Sequence, residues 1–154
     1  MSRSKRTAGV ALAAGVLAAS MLSAWPAAAA PATHSSPVGC WKAQAIEGDR
    51  PPADVEIRFN ADRTLKLTGP RDEDGAPYFE GTGDWAPRAG GAFRFTVRHP
   101  LPFGTPAEAR SSLEGALSSH RAFSASGLTH YHYDDGRVEG PSGIRMTGTR
   151  VSCG

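Results

Sequence analysis

The chain has 154 residues, 40% apolar and 21% charged, with seventeen Lys and Arg against fifteen Asp and Glu. Three of the basic residues, Arg3, Lys5 and Arg6, sit at the extreme N-terminus; without them fourteen basic residues face fifteen acidic ones, a net charge of −1. That balance, with no basic cluster elsewhere, gives no electrostatic case for a nucleic-acid or anionic-membrane partner.

The N-terminus reads as a secretory signal peptide. A cationic start, Ser2 to Arg6, precedes an uncharged apolar run from Ala8 to Leu22, and Pro26 ends it before the small-residue tract Ala27 to Ala32. The run is shorter than the roughly 20 residues that span a bilayer and is rich in Ala, which favours cleavage over anchoring. Cleavage is expected after Ala29, because a cut after Ala30 would place Pro31 beside the scissile bond. Arg3 and Arg6 are not adjacent, so the general secretory route is expected rather than twin-arginine export. The expected organisation is a leader over 1–29, a flexible tail over 30–37 and a single domain over 38–154. The mature protein is expected to be secreted, monomeric and free of the membrane. Gly39-Cys40 lies too far beyond the apolar run, behind a polar Thr33 to Ser36 stretch, for a lipidated cysteine.

The mature length suits one domain with one core. Its two cysteines, Cys40 and Cys153, stand near opposite ends in a compartment that favours disulfides. A bond between them places the first and last strands side by side.

The body of the chain alternates with period two between turns. Val55, Ile57 and Phe59 alternate with charged residues, Asn60 to Arg63 turns the chain, and Leu65 and Leu67 follow. Phe79, Gly81, Gly83 and Trp85 share a face; Arg88 to Gly91 turns; Phe93, Phe95 and Val97 alternate with Arg94, Thr96 and Arg98. Gly104 to His120 interrupts this rhythm. Thr105-Pro106-Ala107-Glu108 has the form of a capping box with Pro at the first helical position, which predicts a short helix carrying Ala109, Leu113, Ala116 and Leu117 on one face. Gly115 speaks against it, and a further strand is the alternative. Phe123, Ala125, Thr129, Tyr131 and Tyr133 then share a parity, Asp134 to Gly136 turns, and Gly143 to Val151 forms the last strand. The expected fold is all-β: a small antiparallel up-and-down barrel of about eight strands with one short helix, the alternative being a β-sandwich.

Gly39-Cys40-Trp41 opening the first strand and Thr147-Gly148-Thr149-Arg150 in the last resemble the Gly-x-Trp and late-strand Arg of lipocalin-like (calycin) barrels. The resemblance implies that Trp41 sits at the closed end of the barrel with Arg150 packed across it. Parity agrees: Ile144, Met146 and Arg150 share the inward side of the last strand, Trp41 with Ala43 and Ala45 the inward side of the first, and both cysteines fall on the outer face. Bacterial relatives of the allene oxide cyclase barrel and secreted barrel inhibitors of metalloproteases are similar in length and hairpin pattern.

For chemistry, His130-x-His132 has a spacing that metal sites use, with His99 or His120 as third ligands. The alternation instead points both histidines outward beside Leu128, and no metal or cofactor is expected. Asp134-Asp135-Gly136 and Asp72 to Gly75 are ordinary turn chemistry without the ligand ladder of a calcium loop. No nucleophile elbow and no phosphate loop is present, so no catalytic residue is assigned. The interior aromatics Trp85, Phe93, Phe95 and Tyr131 are the candidate ligand-binding residues. The leading expectation is a secreted barrel that binds a small apolar ligand. The alternatives are an extracellular interaction module such as a protease inhibitor, and an isomerase or cyclase of the allene oxide cyclase kind using Tyr131, Glu80 or His99.

Overall fold

A computed structural model describes residues 36–102, 105 and 107–154. The expected leader and most of the expected tail lie outside the described residues. Eight strands follow one another: β1 Gly39–Glu47, β2 Ala53–Phe59, β3 Thr64–Thr68, β4 Glu80–Pro87, β5 Ala92–Pro100, β6 Ala107–Ser119, β7 Ala122–Tyr133 and β8 Val138–Val151. Each pairs antiparallel with the next, and β8 pairs with β1, so the sheet closes into an up-and-down barrel with no free edge. A 3-10 turn at Ala89–Gly91 joins β4 to β5.

The expected helix is not there. Ala107–Ser119 is the thirteen-residue strand β6, hydrogen-bonded to β5 on one side and β7 on the other. Ala109, Leu113 and Leu117 are spaced by four, a multiple of both the strand period and, nearly, the helix period, so these apolar positions could not discriminate. Closure decided it, because without β6 the edges of β5 and β7 would carry unpaired backbone groups. Ala116, assigned to the helix face, points outward instead, and Gly115 takes its place inside, beneath the Phe93 ring.

One half of the interior is an aromatic cluster. Phe59, 1% exposed, meets the rings of Phe93 and Phe95 edge-on at 5.5 Å and those of Trp85 and Phe123 at 6.2 Å. Trp41 is fully buried and packs edge-on against Phe123 at 5.1 Å. Gly148 makes this possible, since a Cβ there would lie 2.1 Å from the Phe123 ring.

The closed end is sealed by cations and backbone. Trp41 and Arg150 are register partners on β1 and β8, and the guanidinium lies 4.4 Å over the indole. Arg150 also donates to the carbonyl oxygens of His120 at 2.7 Å and Ser36 at 2.9 Å, while the Trp41 Nε1–H donates to Pro37 O at 2.8 Å. The glycine of Gly-x-Trp is required here: Gly39 has φ +133°, and a Cβ on it would lie 2.5 Å from the Arg150 guanidinium. One residue further out, Cys40 and Cys153 form a disulfide on the outer face.

Candidate functional site at the open end

The opposite end of the barrel is built from the last residues of β1, β3, β5 and β7 and the first of β2, β4, β6 and β8. Side-chain size changes abruptly along the axis. Below lie most of the aromatic rings; above them the interior is lined by Ala43, Ala45, Ala53, Gly81, Ala107, Ala109, Ser111 and Thr129, interspersed with Val55, Leu67, Val97, Met146 and the partly buried Phe79 and Ile144. Ala107 and Ala109 are buried yet lie outside the packed hydrophobic cluster. Ser111 and Thr129, register partners on β6 and β7, form a buried hydroxyl pair at 2.8 Å. A hydroxyl pair shares one hydrogen between two oxygens and leaves the second donor uncommitted within the pair.

Above this small-residue belt sits a polar rim. Tyr131 reaches across β8 and donates its hydroxyl to Glu47 Oε1 at 2.5 Å. Arg50, in the β1–β2 loop, donates to the same phenolic oxygen at 3.0 Å and pairs with Glu47 Oε2 at 3.3 Å. Its guanidinium lies 5.6 Å from the Tyr131 ring centroid. The Glu47 side chain is 17% exposed and the Arg50 side chain 68%, so a partly buried carboxylate is paired with a largely solvated cation. Burial, then the bond to Glu47, pushes the Tyr131 phenol up to about 12. The register break between Thr129 and Tyr131 lies immediately before this residue, where bulges commonly re-aim a side chain.

His99 completes the rim. It stands beside Ala109 across the β5–β6 ladder, and Ala109 stands beside Tyr131 across the β6–β7 ladder. The imidazole stacks on Phe79 at 4.0 Å, and Nδ1 lies 2.9 Å from Pro100 O. Burial holds its pKa below the usual histidine value, against opposing pulls from that carbonyl and from Glu47 and Glu108. In the neutral ring Nδ1 is the donor to the carbonyl, so Nε2 is an acceptor.

The sequence-derived candidates separate by depth. Trp85, Phe93 and Phe95 are buried in the aromatic cluster, Trp85 additionally donating to Asn60 O at 2.8 Å beneath the Arg63 guanidinium. Tyr131 alone of the four reaches the open end. Glu80 points outward, away from Tyr131 and His99. His130 lies in a concavity on the outer wall with Leu128 and Arg110, and no group of three metal-ligating side chains is assembled among the described residues. Glu47 and Arg50 went unnoticed in the sequence, although the parity that turns Trp41, Ala43 and Ala45 inward continues to Glu47.

Two concavities of about 1120 and 1000 Å³ follow the barrel wall. They are lined chiefly by outward side chains, Lys42, Gln44 and Thr147 in one and Lys66, Arg98 and Ser126 in the other, and neither includes Glu47, His99 or Tyr131. Their mixed charge and open form make them poorer candidates than the open end, where buried polar groups converge over apolar walls. No helix among the described residues is long and apolar enough to cross a membrane.

Neither a protein-family model nor a curated protein matches the chain. Solved β-barrels do. A redesigned β-barrel, b11L5F_LGL, is 19% identical with a TM-score of 0.51, covering 75% of this chain and 91% of its own. EF1p2_mFAP2b, bound to DFHBI, is 18% identical with a TM-score of 0.52, covering 74% of this chain and 93% of its own. At this identity the likeness establishes the barrel fold.

Proposed function

We propose that the chain is exported and that its barrel holds a small, largely apolar molecule in the open half. The supporting observation is the fall in side-chain volume along the axis, from a belt of Phe and Trp to one in which Ala, Gly, Ser and Thr stand among aliphatic side chains under a polar rim. A barrel of eight strands is just wide enough for large side chains to fill it or for one small ligand to replace them. Small residues in the upper belt favour the second outcome there, while the aromatic belt forms a rigid floor. That the similar barrel EF1p2_mFAP2b holds DFHBI supports the reading in general terms.

On this reading Phe93, Phe95 and Trp85 support the floor, and Tyr131, His99 and the Ser111–Thr129 pair meet the ligand. The test uses N-phenyl-1-naphthylamine, a neutral apolar dye whose emission rises in a dry pocket. The oxidised protein is expected to bind it saturably at one site, and Ala109→Trp, which fills the belt between His99 and Tyr131, is expected to abolish binding while near-ultraviolet circular dichroism reports an intact core. No saturable binding, or binding indifferent to Ala109→Trp in a folded variant, would overturn the proposal and favour an interaction module acting through the outer surface.

A further inference from the structure

We infer that the ligand is an amphipathic organic cation, an amine whose charged group takes the place that Arg50 occupies in the free protein. The inference rests on the open-end reading above and names the chemistry of its ligand.

The two halves of the Glu47–Arg50 pair are held very differently. Glu47 is the last residue of a barrel strand, its parity is inward, and its Oε1 accepts a 2.5 Å bond from Tyr131. Its backbone is held in the β1–β8 ladder, where it is the register partner of Ile144. Arg50 is carried by the loop between β1 and β2, its side chain is 68% exposed, and its guanidinium donates to Glu47 and Tyr131. A partly buried carboxylate gains from a cation or donors close by, whereas a solvated guanidinium gives up little when an exposed ion pair opens. The exchangeable member is therefore the cation.

What Arg50 touches describes what a replacement must offer. It presents N–H donors to Glu47 Oε2 and the Tyr131 oxygen and lays positive charge over the Tyr131 ring. A ligand ammonium supplies the same donors and the same charge. Behind it, the alkyl or aryl body enters the belt of Ala45, Ala107 and Ala109. The opposite charge fits badly: a ligand carboxylate would gain Arg50 but would have to settle beside a fixed carboxylate that Arg50 then no longer neutralises.

The experiment is displacement of N-phenyl-1-naphthylamine by octylamine, octanol and octanoate, three probes with one tail and different heads. Octylamine is expected to displace the dye at roughly tenfold lower concentration than octanol, equivalent to ~1.4 kcal/mol, with octanoate the weakest. Glu47→Gln is expected to remove the preference for the amine, and Arg50→Gln, which deletes the competitor, to strengthen octylamine severalfold. The comparison among probes needs only the wild-type protein, so it stands even if Glu47→Gln fails to fold. Equal displacement by all three, or octanoate first, would overturn the cation while leaving the open-end site intact. Dye binding that none of the three displaces at its solubility limit would overturn the cation too, and failure of the dye to bind at all would overturn both proposals.

Discussion

Phe59→Ala tests the division of the barrel into a filled floor and an open half. Phe59 is 1% exposed and is the ring on which four others converge. A buried phenylalanine withdraws about 200 Å² from water, worth at most ~5 kcal/mol at 25 cal/mol per Å². A partly collapsed unfolded chain and the methyl retained by alanine reduce that value, while the cavity left behind adds to it. The rings of Phe93, Phe95, Phe123 and Trp85 are each fixed by strand pairing and cannot all move in, so a loss of about 4 kcal/mol is expected, within the usual range for this substitution. The assay is urea unfolding of the oxidised protein followed by tryptophan fluorescence. With a urea slope near 2 kcal/mol per M for a domain of this size, the midpoint should fall by about 2 M. Dye affinity in native buffer should change little, because the lost ring lies below the small-residue belt. A loss under about 1.5 kcal/mol would refute the reasoning, since it would mean that the floor is already loosely packed or wet.

Reduction of the Cys40–Cys153 bond, which spans 113 residues, should lower stability by about 4 to 5 kcal/mol in the chain-entropy treatment, read as a drop in urea midpoint on adding dithiothreitol. Gly148→Ala should cost about 1–3 kcal/mol by the same assay, because the new Cβ drives at the Phe123 ring, which Trp41 and Phe59 hold from other sides. His99 has a folded pKa below its unfolded value near 6.5 because burial disfavours the imidazolium. Its contribution is therefore fully present above about pH 6.5 and lost as the pH falls through the lower folded value, since the unfolded chain then binds the extra proton. Urea midpoints measured from pH 8 to pH 5 should show this loss, and His99→Asn should flatten that part of the curve. Tyr131 should ionise near pH 12 in an absorbance titration at 295 nm, and Glu47→Gln should bring it down by removing the negative charge that accepts its hydrogen bond and opposes the phenolate.

Much of this protein was written in local pattern. Alternation over Val55 to Phe59 and Phe93 to Val97 determined strands and which side chains face inward, because the strand period of two leaves no other assignment for a one-faced sheet. The turns at Asn60 to Arg63 and Asp134 to Gly136 and the pairing of the two cysteines follow from residue type and count, while the approach of Arg150 to Trp41 was implied by the resemblance to lipocalin-like barrels, with which parity agrees. The fate of Ala107–Ser119 did not. Its apolar spacing served two periods equally, and only the requirement that β5 and β7 both find partners made it a strand. The open-end cluster was hidden for a related reason. Glu47, Arg50, His99 and Tyr131 lie up to 84 residues apart in the chain; Tyr131 and His99 stood out as single candidates, but nothing in their segments joined them to Glu47 and Arg50. Which of the inward positions join the packed aromatic cluster and which come together beneath the Glu47–Tyr131 rim depends on strand stagger and closure around eight strands, a property of the assembled barrel that no segment carries alone.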